Sequence, residues 1–334
     1  MDYLLWVLLG LVLLIAAALF IFTFIIARRV ELGLPAEGRF ITIMGNRIHY
    51  VEQGSGAQTL LLVHGLGGMS ANYSYAMLGE LARDYRVVAI DRPGSGYSTR
   101  AKRASAALAV QADVLAGVID ALQLGRPMLV GHSLGGAVVL ATALRHPDKV
   151  CGLSLIAPLT HMPASGPSPV FAALAIRQAW LRRLFAWTLM VPFSIRRREQ
   201  VLDVVFGPEP VPADFATRGG GALGLRPAHY ISTSRDLVAL EHVLPQLQQR
   251  YGDLRMPVRI LYGRDDRILD PGEQGQAMIE RFPAMHLELV DGGHMLPLTQ
   301  PQQTIDFVQR SMQAIPQDGS CGNDPARAAP LPGH

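Results

Sequence analysis

The sequence predicts an α/β fold: a mostly parallel sheet flanked by helices, carried behind a transmembrane helix and interrupted by a helical insertion. Three observations predict it. Short apolar runs, fit for strands buried on both faces, alternate with helical stretches between residues 59 and 156. Tyr3–Ala27 carries no charge and is dominated by Leu, Ile, Val, Ala and Phe. The strand alternation stops after Ile156 and resumes only at Pro257.

Composition bounds the rest. A chain of 334 residues can hold one large α/β domain, or a domain plus an insertion. Its net charge of +3, from 30 basic and 27 acidic residues, is too small a surplus to mark a nucleic-acid binder. The two cysteines make no disulfide framework: Cys151, in the strand-like Val150–Ile156, reads as a core residue and Cys321 as a tail residue.

In chain order, residues 1–29 read as a membrane anchor. As a helix, Tyr3–Ala27 would be about 37 Å long, enough to cross a bilayer with some tilt. A cleaved signal peptide fits less well, because there is no basic leading region and the apolar run is too long. Arg28 and Arg29 follow the span at once, so the positive-inside rule favours a cytoplasmic C-terminal domain, as in a bacterial inner-membrane protein. Residues 30–38, with Gly33 and Pro35, read as a juxtamembrane connector.

The core is expected over 39–157 and 257–315. Strand candidates Phe40–Met44 and Ile48–Glu52 flank Gly45-Asn46, a hairpin turn signal. The apolar strand Thr59–Val63 ends in His64-Gly65-Leu66-Gly67-Gly68, and a helical stretch over Ser70–Asp84 leads to the strand Arg86–Ile90. That strand is closed by Asp91-Arg92-Pro93-Gly94-Ser95-Gly96-Tyr97-Ser98, and a helix over Ala106–Leu122 precedes the strand Pro127–Val130.

The next stretch, Gly131-His132-Ser133-Leu134-Gly135, joins a strand to the small-residue helix beginning at Ala137. A serine there sits on a sharp turn that forces its hydroxyl outward and aims the free N–H groups of the new helix toward it. Gly131 and Gly135 are explained by crowding.

This order of hairpin, His-Gly loop, Asp-x-x-Gly-x-Gly-x-Ser loop and serine elbow resembles the α/β-hydrolase fold over Phe40–Ala314. The resemblance implies an eight-stranded sheet and an oxyanion hole made by the backbone N–H groups of Leu66 and Leu134. It also implies a catalytic triad. Two later strand candidates end in Gly263-Arg264-Asp265-Asp266 and in Asp291-Gly292-Gly293-His294. The family's Gly-x-x-Asp spacing selects Asp266, with Asp265 as the open alternative and Asp270 a distant third, and its Gly-His selects His294. Ser133, Asp266 and His294 then stand as nucleophile, orienting carboxylate and base. His64, His132 and His146 have ordinary structural explanations.

Residues 158–256 match the place where this family inserts a cap. A helix is expected over Val170–Val191, and Phe171, Leu174, Trp180 and Phe185 are candidates for an acyl-chain pocket, although core packing explains much of the same apolar surface. Arg177, Arg182, Arg183 and Arg196–Arg198 form a basic run without an acid, either a solvated face or a contact with anionic lipid heads. Gly219-Gly220-Gly221 reads as a mobile loop.

Helices over Gly275–Phe282 and Gln302–Ala314 close the domain, and 316–334 reads as a disordered tail. No metal-ligand cluster or nucleotide loop stands out, so no cofactor and no metal is expected. The resulting expectation is a serine ester hydrolase acting through an acyl-enzyme on a lipid-like ester such as a monoacylglycerol or phospholipid. A carbon–carbon bond hydrolase or a haloperoxidase-like enzyme on the same fold is the alternative. A non-catalytic, membrane-tethered lipid-binding protein is the reading from another class.

Overall fold

The computed structural model describes residues 2–316 apart from 165 and 167; the expected tail beyond Pro316, with Cys321, lies outside the described residues. Helix α1 spans Asp2–Gly33 and is long and apolar enough to cross a membrane. It runs through part of the expected connector because nothing before Gly33 and Pro35 breaks a helix, and Arg28 pairs with Glu31 along it at 3.1 Å. The connector is thus shorter than the sequence reading had it.

Strands β1 (Arg39–Ile43) and β2 (Asn46–Gln53) form the hairpin. Its turn falls on Met44-Gly45, both at positive φ, one residue earlier than expected. Asn46 instead opens β2 and its side chain donates to Ile43 O and Met44 O. β3 (Thr59–Val63) follows, and then, in place of one helix over 70–84, two short ones, α2 (Ala71–Ser74) and α3 (Leu78–Leu81). Next come β4 (Arg86–Ile90), α4 (Leu108–Ala121), β5 (Met128–His132), α5 (Leu134–Arg145) and β6 (Gly152–Ile156).

The inserted segment holds a 3-10 turn (Pro169–Leu174), α6 (Ala179–Trp187), α7 (Met190–Phe206), a second 3-10 turn (Gly221–Leu225) and α8 (Pro227–Leu247). The single helix expected over 170–191 is broken over 175–178 and again between α6 and α7, the second time because Pro192 has no N–H for the carbonyl of Thr188 and its ring would crowd that oxygen. The freed Thr188 carbonyl accepts from the buried Thr23 hydroxyl of α1 at 3.3 Å. The triglycine is not a loose loop: Gly220 takes a left-handed φ of 78°, and added Cβ atoms at Gly219 and Gly221 would run into Phe215.

The chain returns through β7 (Val258–Gly263), a π-turn over Gly272–Gln276, α9 (Ala277–Arg281), β8 (His286–Val290), α10 (Leu296–Thr299) and α11 (Pro301–Gln313). The eight strands lie in the order β1-β2-β4-β3-β5-β6-β7-β8, antiparallel up to β4 and parallel beyond it. One core, with Ile119, Leu140 and Leu155, lies under α4 and α5; the other, with Tyr73, Leu81 and Phe307, lies under α2, α3 and α11. Both faces are therefore covered, which is why β3 and β5 are buried at every position. The loops at the carboxyl ends of the parallel strands are left to meet one another.

Cys151 is buried, as the sequence suggests, and it is also disulfide-bonded, which the sequence reading did not anticipate.

Candidate active site

Ser133 stands between β5 and α5 with φ 54° and ψ −122°, a backbone conformation that L side chains rarely adopt. The elbow closes only because its neighbours lack side chains. A Cβ on Gly135 would lie 2.0 Å from Val63 O, and one on Gly131 would lie 2.6 Å from Val139. The turn brings the Ser133 hydroxyl to 2.9 Å from His294 Nε2, in the loop after β8. His294 Nδ1 lies 2.7 Å from Asp266 Oδ2, in the loop after β7. The other Asp266 oxygen accepts from the backbone N–H groups of Ile268 and Leu269 at 2.8 and 2.9 Å, which fixes the carboxylate. A carboxylate at Nδ1 sets the tautomer: Nδ1 donates, and Nε2 is free to accept the serine proton.

The other aspartates have separate places. Asp265 is exposed, and Asp270 accepts from Glu273 N at the start of the π-turn. Asp291 lies 3.6 Å from Arg264.

Leu66 and Leu134 border the same space as Ser133 and His294. Leu134 is the first residue of α5, so its N–H has no partner within the helix. Gly65 brings the loop close: a Cβ there would come within 2.8 Å of Ser133 Cβ.

Several supporting residues escaped the sequence reading. Arg92, almost fully buried, donates to His64 O at 3.0 Å and to Gly65 O at 2.8 Å. Its backbone N–H donates to His64 Nε2 at 2.9 Å, so Nδ1 carries the proton that goes to Gly65 O at 2.8 Å. The Gly65 carbonyl is thus held from several sides. Since a trans peptide directs its N–H opposite to its C=O, the same bonds orient the Leu66 N–H. Arg92 also reaches Asp236 of α8 at 2.7 Å, and Arg100 pairs with the other Asp236 oxygen. His229, also on α8, contacts Gly67 O at 3.1 Å. The inserted segment is in this way bonded to the His-Gly loop. The only sequence signal was the Asp91-Arg92 pair at the end of a strand, which reads equally as a turn.

His132 is the neighbour of Ser133 whose ring contacts His294 O at 2.9 Å. Burial, and then the repulsion that a protonated His294 would exert, hold its pKa down to about 3, so it is neutral and donates from Nε2. His229 is driven down to about 4 by burial and then by Arg226.

A cavity of about 190 Å³ opens over Ser133. Its walls are mainly apolar, with Leu159, Met162, Phe171, Val205, Leu237 and Ile268 among them, and among the described residues they contain no lysine or arginine. Of the four candidates for an acyl-chain pocket, only Phe171 borders it. Leu174 and Phe185 pack instead with Ala186, Met190, Val191 and Tyr230 beneath α1, and Trp180 is 68% exposed. Leu174 and Phe185 thus face the anchor instead of the site. Arg182 is likewise not on a solvated face: it is buried and donates to Ser234 Oγ at 2.8 Å.

The family model described as the alpha/beta hydrolase fold matches residues 58–301. The chain belongs to the α/β-hydrolase fold family. It is 29% identical over 248 residues to a 2-hydroxy-6-oxononadienedioate/2-hydroxy-6-oxononatrienedioate hydrolase of Burkholderia vietnamiensis, covering 73% of this chain and 82% of that protein. Among solved structures it is similar to an α/β-hydrolase fold protein from Burkholderia ambifaria. The TM-score is 0.69 at 25% identity, over 81% of this chain and 97% of that one. It is also similar to a membrane phospholipase A, a bacterial virulence factor, with TM-score 0.59 and 26% identity over 94% of this chain and 96% of that one. An α/β-hydrolase and an enzyme of hydrolytic type are therefore established. The expected lipid-ester specificity finds no support in the dienedioate hydrolase, which favours the carbon–carbon alternative.

Proposed function

We propose that this α/β-hydrolase cleaves apolar acyl esters through a covalent acyl-serine. His294 Nε2 takes the Ser133 proton as Oγ attacks the ester carbonyl, and Asp266 holds the imidazole in the accepting tautomer and stabilises its charged form. The N–H groups of Leu66 and Leu134 receive the oxygen that becomes negative. His294 then protonates the departing alcohol and activates the water that releases the acid. Every proton passes through one imidazole, and no further cofactor enters.

The observation that carries the substrate class is the wall of the cavity. A 2-hydroxy-6-oxo dienedioate carries two carboxylates and no ester, so water must be added across a carbon–carbon bond. Among the described residues such a dianion would meet no lysine or arginine in these walls and would face the carboxylate of Glu241, itself paired with Arg177. An unpaired charge buried against apolar groups is costly, whereas an alkyl chain gains about 0.8 kcal/mol per methylene. The second reading, carbon–carbon hydrolysis, is favoured by the sequence relative, and the serine, histidine and oxyanion donors would serve it equally.

A panel of acyl esters of rising chain length, set beside a 2-hydroxy-6-oxo dienedioate, separates the two on the full chain in detergent. The ester reading expects kcat/KM to climb about fourfold per methylene until the cavity is filled. Faster turnover of the dienedioate than of any ester would overturn it in favour of the second reading.

The retained anchor is part of the proposal. A leader destined for removal has no need to be bonded into the fold, whereas Thr23 is buried against Thr188 and Phe20 stacks on Trp187 with centroids 5.3 Å apart. The side of the membrane follows from two opposed signals. Arg28 and Arg29 favour a cytoplasmic domain, but large domains cross largely regardless of such charges. Disulfide-bonded Cys151 favours an oxidising compartment, where such bonds persist. We therefore assign the catalytic domain to the oxidising side, against the cytoplasmic expectation. A C-terminal reporter active only in the cytoplasm would reverse that assignment.

A further inference from the structure

We propose that the face formed by α6 and the first half of α7 is a membrane-docking surface that lies on an anionic bilayer beside the anchor. The inference rests on α1 being a membrane anchor and is independent of the bond that the enzyme cleaves.

Outside α1, the exposed large apolar side chains are concentrated on one short segment. Trp180, Leu181, Leu184, Leu189, Phe193 and Ile195 are all at least 37% exposed, against only Phe40, Met44 and Leu289 elsewhere among the described residues. A patch of this kind on one segment marks a contact surface. Its position identifies the occupant. Trp180, Leu184 and Trp187 recur at i, i+4 and i+7 and so share one face of α6. Trp187 on that face stacks on Phe20 of α1, so Leu184 and Trp180 continue away from the anchor along the same side. Ile26 of α1 packs against Ala186, Met190 and Val191, which joins both helices to the anchor in one cluster. Where α1 enters lipid, this face is therefore next to it.

The charges agree. Arg183, Arg196, Arg197 and Arg198 are exposed, and none makes an ion pair among the described residues. No acidic residue occurs between Arg177 and Arg198. Arg197 stands over the Phe193 ring at 5.4 Å, an apolar side chain with a cation beside it. Apolar groups flanked by unpaired arginines suit the boundary between acyl chains and anionic headgroups. A second copy of the chain would bring the same arginines together without compensation.

The surface connects to the site. Helix α7 touches the anchor cluster at Val191 and borders the cavity at Val205, about 21 Å further along at helical rise. A molecule leaving the bilayer at this face has one helix to follow to Ser133.

The chain has three tryptophans, Trp6, Trp180 and Trp187, which permits a direct test. Full-length protein carrying Trp6→Phe and Trp187→Phe emits from Trp180 alone, and protein carrying Trp180→Phe and Trp187→Phe emits from Trp6 alone. Each is reconstituted into phosphatidylglycerol vesicles with or without brominated acyl chains. At least twofold quenching of both reporters supports the docking surface. Quenching of Trp6 with Trp180 unaffected overturns it while leaving the anchor in place, and is also the result expected if a second copy covers the face. Quenching of neither overturns the anchor and the docking surface together. In the Trp180 reporter, Arg183→Glu with Arg196→Glu, Arg197→Glu and Arg198→Glu is expected to remove most of the quenching. Undiminished quenching overturns the role given to the arginines.

Discussion

The Arg92 guanidinium donates to the Gly65 carbonyl at 2.8 Å while its other arm meets Asp236 of α8 at 2.7 Å. One buried cation thereby ties the His64–Gly68 loop to the inserted segment. The arrangement needs a planar fork, because His64 O, Gly65 O and Asp236 lie in different directions.

Arg92→Lys should therefore act on the transition state. A lysine can serve the loop carbonyls or Asp236 but not all of them, so the Gly65–Leu66 peptide loses its fixed orientation. The expected result is a fall in kcat of about 10- to 100-fold with KM changed by less than about threefold. Steady-state kinetics on a soluble ester check this. A rise in KM at unchanged kcat would instead assign Arg92 to substrate binding.

Removing the Ser133 side chain tests the strain at the elbow. Ser133→Ala and Ser133→Gly should both be inactive, but only glycine relaxes a residue at φ 54°. Ser133→Gly should be more stable than Ser133→Ala by about 1 kcal/mol, read from denaturant midpoints. Equal midpoints would mean that the turn costs nothing.

Glycine positions differ sharply in what they tolerate. An alanine at Gly135 would drive its Cβ to 2.0 Å from Val63 O, backbone that cannot yield without separating β3 from α5. Gly135→Ala is expected to prevent folding or to destabilise by more than about 3 kcal/mol. Gly10→Ala, which meets nothing within 4 Å, should not lower the denaturant midpoint.

Stability should fall on mild acidification. Burial, followed by neighbouring positive groups, keeps His64, His132 and His229 neutral in the fold, with His132 down at about 3 and His229 at about 4. Below about pH 6.5 the unfolded chain takes up protons that these groups refuse, at a cost of about 1.4 kcal/mol per group per pH unit. His49 runs the other way. Burial opposes its charging, but the Asp91 bond and charge outweigh it, so its contribution is present at low pH and lost as pH rises through its raised folded value. His161, lowered by burial and then by Arg281, joins these three, and four groups against one leave a net loss from pH 6.5 toward pH 4. Denaturant midpoints at pH 7, 6 and 5 should decline, with a shallower slope in His229→Gln. A flat or rising series would contradict the neutral assignments.

What was legible in the sequence follows from where local chemistry has a single solution. A serine between a buried strand and a small-residue helix, and a histidine or aspartate just beyond a buried strand, can only face the carboxyl edge of the sheet. That Ser133, Asp266 and His294 come together was therefore readable from spacing and resemblance. The inserted segment was not. Trp180, Leu174 and Phe185 have the same apolar character as Phe171, and which of them borders the cavity depends on how the inserted segment packs between the anchor and the site, which no local pattern records. Arg92 and Asp236 escaped as well: their partners lie 144 positions apart, and no local pattern records a pair that forms only when α8 folds back over the sheet.

Covalent acyl transfer through Ser133 would leave a mark that active-site labelling can read. Full-length protein in detergent is treated with an alkyl fluorophosphonate and digested, and the modified peptide is identified by mass. One adduct is expected on Ser133, formed in step with loss of esterase activity and absent from Ser133→Ala and His294→Ala. Ester hydrolysis that continues unlabelled, or an adduct on another residue that tracks the lost activity, would contradict it.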